Sequence, residues 1–436
     1  MVETTSIEAL YEQAELEYST RNPKSFSIYK SATESLPGGN TRTVLFYNPY
    51  PLSVVRAHGC RLADADGHEY VDLLGEYTAG LYGHSDPIIK KAITDALSNG
   101  WSYGSQHEGE GRLARLIKER FRSIDLIRFT NSGTESALMA LAVAKVYTQR
   151  RKIMVLSGAY HGGAFTFKSG TSNPINAPHE YIIATYNDVS TVNELIAQHG
   201  SDLAAIIVEP MIGSGGCIPA TKAFLIHLRS VATETGAVLI FDEVMTSRLF
   251  SGGGVQSEMG IEPDMTTLGK YIGGGMSFGA FGGKKAIMSL LDPRTGTLPH
   301  AGTFNNNVFT MAVGSVGLEL LFTPERARQL HATGENLRAQ LNEIAKGTLM
   351  KVSGCGSIMA FHFTKTAVEQ ILSENSLKGD SIELLDLLHL DLLGRGFYIA
   401  RRGFIALGLP LTEVELDGFV EAIKCFLQKY SGVLSE

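Results

Sequence analysis

Two residues in this chain have settings that invite chemistry. The first is Asp242, which ends the apolar run of VLIFDEVMTSR at 238–248. A carboxylate at the end of a buried strand stays charged only beside a cation or several hydrogen-bond donors. The same pattern occurs in P-loop nucleotide-binding proteins, but the GxxxxGK[ST] loop they require is absent from the sequence. A carboxylate that merely caps the next helix is the plainer alternative. The second residue is Lys270, which follows another apolar run within TTLGKYIGGGMSFGAFGG at 266–283. Packed among glycines and apolar side chains, a lysine loses hydration and its pKa falls. The neutral amine is then a nucleophile toward aldehydes. Taken alone, Lys270 also reads as a solvated loop lysine.

Taken together, the two describe one need. An amine for a Schiff base and a carboxylate for a pyridinium nitrogen are what pyridoxal 5'-phosphate asks of a protein. Its phosphate has a candidate cradle in Ser132, Gly133 and Thr134, which lead into a helical stretch from Ser136 to Tyr147. Backbone N–H groups and the positive end of the helix dipole favour an anion there. Ser132 and Glu135 also fit a capping box, S-x-x-E, which serves the helix alone. Thr303 offers a further hydroxyl. The three asparagines 305–307 beside it suggest a turn with side chains engaged locally. In SGAYHGG at 157–163, Tyr160 suits stacking on an aromatic ring or ordinary packing, and His161 suits a nearby hydrogen bond or a structural one.

Between about 100 and 330, short apolar runs alternate with helical stretches. Ile153–Leu156, Ala204–Val208, Val238–Phe241 and Met265–Leu268 read as buried strands, and segments near 135–150, 189–199 and 221–235 as helices. This alternation is that of a parallel sheet wrapped by helices, in which ligands bind beyond the strands' carboxyl ends. Ser157, Glu209, Asp242 and Lys270 each follow such a run. Nearer the N-terminus, Ile7 to Tyr18 has helical spacing that Asn22-Pro23 ends, residues 37–51 are loop-like, and 61–74 form a hairpin turning at Asp66-Gly67. Beyond 330, strand-like runs at Lys351–Phe363 and Gly396–Leu407 and an amphipathic C-terminal helix suggest a smaller α+β unit that packs with the N-terminal hairpin. Composition agrees with a large enzyme. The net charge of −7 and the scattered cations leave no nucleic-acid footprint, and no apolar run is long enough to span a membrane. The acidic N-terminus (Glu3, Glu8, Glu12, Glu15, Glu17) argues against a targeting peptide. Cys60, Cys217, Cys355 and Cys425 lack metal spacing and read as reduced thiols, so a cytoplasmic location is expected.

These motifs resemble the class III, fold type I, pyridoxal-phosphate-dependent aminotransferases over nearly the whole chain. The PGGN loop at 37–40, FDEVMT at 241–246 and GGGMSFGAFGG at 273–283 resemble the glutamate-1-semialdehyde aminomutase branch. Within it, NTRTVLFYNPYPL at 40–52, GEYTAGLYGHS at 75–85 and FDEVMTSRL at 241–249 resemble β-amino-acid (β-phenylalanine) transaminases. The resemblance implies an α/β fold: a large domain at 76–330 with a mostly parallel seven-stranded sheet, and a smaller α+β domain from both termini, 1–75 and 331–436. It also implies a homodimer with shared active sites. Lys270 would hold the cofactor covalently, Asp242 would face the pyridine nitrogen, and Val244 and Tyr160 would cover the two ring faces. Ser132, Gly133 and Thr134 would hold the phosphate with Thr303 of the neighbouring subunit, and Glu209 would lie beside the cofactor.

The chain departs from the aminomutases after PGGN, where Thr41-Arg42-Thr43 stands in place of a Ser-Pro-Val-Arg-like stretch. By resemblance to the β-amino-acid enzymes, Arg42 would grip a substrate carboxylate, as its planar fork suits. A solvated loop arginine is the alternative. Arg402 aligns with an arginine that serves acceptors such as 2-oxoglutarate, although Arg401 is adjacent. Phe46, Tyr47 and Tyr82 would line an apolar pocket or simply pack. The activity implied is transfer of an amino group from a β-amino acid or related amine to a keto acid such as 2-oxoglutarate or pyruvate, in ping-pong fashion. An aminomutase or racemase, an amine:pyruvate transaminase, and a non-catalytic cofactor-binding protein are the rivals.

Overall fold

The computed structural model describes residues 6–435; Glu3 of the acidic N-terminal run lies outside them. The centre is a seven-stranded sheet. In chain order its strands are β1 (Leu126–Thr130), β2 (Lys152–Leu156), β3 (Glu180–Ala184), β4 (Leu203–Val208), β5 (Val238–Asp242), β6 (Met265–Gly269) and β7 (Gly279–Gly283). They lie side by side as β1-β7-β6-β5-β4-β2-β3. β7 runs antiparallel to both its neighbours, and the remaining pairs are parallel. Every residue of β4, β5 and β6 is buried. Central parallel strands covered on both faces by helices have this pattern.

The four expected strands are present, each a residue longer. β1, β3 and β7 were not foreseen. β7 reads GAFGG, and glycines normally mark a loop or a weak strand. Here the lack of side chains admits β7 between its neighbours. A Cβ on Gly282 would lie 2.8 Å from the Leu126 carbonyl oxygen, and one on Gly279 would strike the Ser132 carbonyl. Because β1 and β6 both run against β7, they are parallel to each other. The carboxyl ends of β1, β2, β4, β5 and β6 therefore open on one edge of the sheet, bringing together segments far apart in sequence.

The helix Ile7–Arg21 ends near Asn22 as expected, but Pro23 opens a second helix, Pro23–Ala32. Proline fits there because the first helical N–H has no partner to lose. The hairpin consists of Arg61–Asp64 and Glu69–Asp72, preceded by an extra strand, Val54–His58. The 396–407 run is not one strand. Phe397–Tyr398 pairs in parallel with Glu69–Asp72, whereas Phe404–Ala406 pairs with Ile358–Phe363, which also pairs with Met350–Cys355. The turn carrying Arg401 and Arg402 separates the two halves. The C-terminal helix, Glu413–Lys429, buries Leu416, Phe419, Ile423 and Phe426 on one face.

Candidate active site

Asp242 ends β5, is 4% exposed, and accepts from two donors. Its Oδ2 lies 2.7 Å from His161 Nδ1, and its Oδ1 accepts from the Val244 N–H at 3.1 Å. The other ring nitrogen of His161, Nε2, is buried and has no protein partner among the described residues. His161 is therefore the support of Asp242, a role that its sequence setting left open.

Lys270 begins the turn after β6. Its φ of 56° puts a non-glycine residue in the left-handed region. Such strain persists only where the surroundings enforce it, and it concentrates at functional positions. Burial lowers the lysine's pKa, with further lowering from Arg42 and Arg402 and opposition from Glu76 and Asp242. The expected loss of hydration is thus present, and four charged groups act electrostatically on the amine.

Val244 locks these pieces together. A Cβ on Gly133 would come within 3.0 Å of its methyls, and one on Gly269 within 3.1 Å. Glycine at both positions lets the 132–134 loop and the end of β6 close on this valine without displacing it. Ser132 caps the helix Gly133–Thr148 by accepting from the Glu135 N–H at 3.2 Å. Glu135 does not complete a capping box; its Oε2 accepts from the Asn131 N–H at 2.9 Å. The N–H groups of Gly133 and Thr134 keep no backbone acceptor among the described residues, so the helix start remains available to an anion. Thr134 Oγ1 accepts from the Gly163 N–H at 3.2 Å, tying this loop to the segment after His161.

On the far side, Glu209 is buried after β4. Its Oε2 accepts from the Tyr160 N–H at 2.8 Å and its Oε1 from the Gly213 N–H at 3.2 Å. Burial and the nearby Asp242 push its pKa up to about 7, against the lowering by His161 and those two N–H groups. The Tyr160 ring is 43% exposed beside it. Arg402 Nη1 donates to Ser214 Oγ at 3.1 Å and lies over the rings of Tyr77 and Phe404, at 5.2 and 5.6 Å. Arg401 instead forks onto Asp386. The ambiguity between the two arginines is thereby resolved in favour of Arg402 at the site. Arg42 pairs with Glu76 at 3.0 Å.

Not every expected residue is at the site. Tyr82 is packed against Gly317 and Tyr271 and is a core residue. Tyr47 is buried with its ring on His389 and its hydroxyl accepting from the Leu52 N–H at 2.7 Å. Neither presents a surface to a ligand. Phe46, half-buried against Tyr29, stays on the loop that carries Arg42. Thr303 is exposed. The asparagines beside it are engaged at long range rather than only locally: Asn305 accepts from Asn131 Nδ2, Asn306 donates to the Ser105 carbonyl, and Asn307 caps the following helix.

A desolvated amine, a supported buried carboxylate, a glycine-lined helix start and an unmet imidazole nitrogen fit pyridoxal phosphate. The family profile described as aminotransferase class III matches residues 46–386. The chain belongs to the class III aminotransferases.

This class III aminotransferase is 48% identical to the beta-phenylalanine transaminase of Variovorax paradoxus, over 96% of this chain and 95% of that protein. It superposes on a solved beta-phenylalanine aminotransferase from the same organism with a TM-score of 0.97 at 47% identity, covering 99% of this chain and 100% of that one. A solved transaminase with pyridoxal phosphate bound matches at 31% identity and a TM-score of 0.85, over 94% of this chain and 98% of that one. The glutamate-1-semialdehyde 2,1-aminomutase of Thermodesulfovibrio yellowstonii is 35% identical over 91% of this chain and 96% of its own length. The fold is therefore fold type I, and the enzyme is a pyridoxal-phosphate-dependent aminotransferase.

Glu209 gives a pH test in the cofactor-free protein. Its raised pKa means the folded state holds a proton that the unfolded state releases near pH 4.5. Its contribution to stability is therefore undiminished below pH 4.5, declines as pH rises toward 7, and stays reduced above. The stability of wild type minus that of Glu209→Gln should fall by up to roughly 3 kcal/mol across this window. Urea denaturation of both proteins at several pH values checks it, and a flat difference contradicts it.

Proposed function

We propose that this aminotransferase takes its amino group from a β-amino acid and passes it to a 2-keto acid such as 2-oxoglutarate or pyruvate, in two half-reactions. The observation that carries the reading is the placement of two arginines: Arg42 and Arg402 meet the adjacent residues Glu76 and Tyr77, and both act electrostatically on the Lys270 amine. A guanidinium there offers paired donors to a carboxylate. The relative from Variovorax paradoxus, named for beta-phenylalanine, supports it.

When bound, pyridoxal phosphate supplies an aldehyde that carries the amino group and a protonated ring that takes up the electron pair freed at the donor carbon. The chain's residues do the rest. Gly133 and Thr134 N–H groups and the helix dipole hold the phosphate. Asp242, fixed by His161 and the Val244 N–H, would pair with the ring nitrogen and favour its protonated form. Lys270, its proton affinity lowered by burial, would anchor the cofactor and, once released, serve as the base that takes the proton from the amine-bearing carbon. Val244 and Tyr160 would cover the ring faces, with Glu209 fixing the Tyr160 backbone. Arg42 grips the donor carboxylate, Arg402 the acceptor's, and Phe46 borders the side-chain pocket.

We also propose a homodimer in which Thr303 reaches the neighbouring subunit's phosphate. Exposed Phe304, Trp101 and Tyr103 support that arrangement, since large exposed aromatics are characteristic of interfaces.

The test is the half-reaction. The holoenzyme is mixed with β-phenylalanine, β-alanine, 1-phenylethylamine or glutamate alone, and the change to the amino form of the cofactor is followed by absorbance. β-Phenylalanine should react fastest, and sustained turnover should require an added keto acid. Turnover without one would point to the aminomutase or racemase alternative. Arg42→Ala should lower kcat/KM for β-phenylalanine by roughly 10- to 100-fold, the size of a charge-assisted hydrogen bond. It should change that for 1-phenylethylamine little. Equal losses would remove the carboxylate role of Arg42.

A further inference from the structure

The turn Gly75–Thr78 is left-handed along its whole length and strained at its three non-glycine residues. Gly75, Glu76, Tyr77 and Thr78 have φ values of 53°, 47°, 52° and 81°. Three consecutive non-glycine residues in the left-handed region are costly, and the surroundings enforce them. Asp72 Oδ1 accepts from the Leu74 and Gly75 N–H groups at 2.9 and 3.0 Å, while its Oδ2 holds His84 Nε2 at 2.9 Å. A Cβ on Gly75 would lie 2.5 Å from the Ala406 carbonyl oxygen, so only glycine lets the turn press on that strand.

What the strain achieves is the placement of two neighbouring side chains. Glu76 is aimed at Arg42, and Tyr77 lies under Arg402. One turn thus holds both arginines that the proposed function assigns to carboxylates. The two contacts differ in kind. The Tyr77 face takes up none of the N–H donors of Arg402, of which Nη1 is on Ser214. Glu76 Oε1 engages Arg42 Nη2 with the same chemical group that the substrate would bring. The pair is about half exposed on both sides, 48% and 55%. Exposed ion pairs of this sort are weak and exchangeable.

We propose that Glu76 is a specificity-determining residue, a resident carboxylate that occupies Arg42 until a substrate carboxylate displaces it. The proposal rests on the assignment of Arg42 to the donor carboxylate. In the resting site the glutamate keeps Arg42 neutralised and pointed at the pocket. An arriving carboxylate replaces it ion for ion, and Glu76 turns to water. A ligand without a carboxylate leaves the pair closed and meets no unpaired cation. Glu76 thereby weakens carboxylate binding slightly and makes the pocket tolerant of uncharged ligands.

Binding to the holoenzyme by titration calorimetry tests this, with 3-phenylpropanoate and its uncharged amide, 3-phenylpropanamide, as probes. Glu76→Gln keeps the shape and the backbone demand but removes the charge. It should tighten 3-phenylpropanoate by roughly three- to fivefold, the range of an exposed ion pair, and leave the amide equal or weaker. Glu76→Asp, which keeps the charge, should restore the wild-type order. Weaker or unchanged carboxylate binding in Glu76→Gln, or an equal shift of both probes, overturns the proposal. Arg42→Ala separates the two levels. If it weakens 3-phenylpropanoate while Glu76→Gln does not tighten it, only the role of Glu76 fails. If Arg42→Ala leaves 3-phenylpropanoate unchanged, the reading of Arg42 fails as well.

Discussion

Lys270→Ala is expected to abolish transamination, with kcat at least ~10³-fold below wild type. General acid–base catalysis by a positioned side chain contributes roughly 10²- to 10⁴-fold, and in the proposed function Lys270 is also the covalent route through which substrate exchanges with the cofactor. The amine is buried and its proton affinity is lowered, so at neutral pH it is better suited to take a proton than a surface lysine. Alanine supplies neither function. Borohydride reduction followed by peptide mass spectrometry gives an independent check. Wild type should carry the cofactor's mass on the peptide containing Lys270, and the variant should not. A variant that retained the adduct or near-normal turnover would remove Lys270 from the centre of the site.

The second large effect is expected at Asp242→Asn. The carboxylate is buried, with His161 on one oxygen and the Val244 N–H on the other. Its negative charge favours a protonated ring nitrogen opposite it, and a nearby opposite charge shifts such an equilibrium by about 1–3 units. Asparagine keeps the size but loses the charge. The rate of proton removal at the donor carbon should fall by roughly 10²- to 10⁴-fold. Cofactor attachment should survive, because Lys270 and the Gly133–Thr134 loop are untouched. Single-turnover half-reactions with β-phenylalanine report the rate directly. A loss below tenfold would contradict the pairing of Asp242 with the ring nitrogen.

The cofactor site was legible in the sequence because its parts sit at the ends of strands. An apolar run that stops at a charged residue announces both the strand and the residue exposed beyond it. That logic covers Asp242, Glu209 and Lys270. It fails for β7, where glycines that look like a loop are what lets the strand fit between β1 and β6. It also fails for Tyr47 and Tyr82, since an aromatic residue near a functional loop has the same local signature whether it faces a ligand or the core. His161 was undecided because its partner, Asp242, lies on another strand, and only the fold brings the two within 2.7 Å. Nothing in the residues 75–78 announces their left-handed backbone. Of the four only Gly75 favours it, and the conformation is imposed by Asp72 and by the strand ending at Ala406.

Phe397–Tyr398 completes a four-stranded sheet by pairing with Glu69–Asp72. During synthesis the ribosome delivers those two strands more than three hundred residues apart. The whole central sheet can collapse before the later strand emerges, but the early strand must wait with an unpaired edge. The strained turn Gly75–Thr78 depends on the same late arrival, because Ala406 is part of what braces it. A nascent chain released before about residue 406 would lack the support that aims Glu76 and Tyr77, so their contacts with Arg42 and Arg402 are among the last the chain can form.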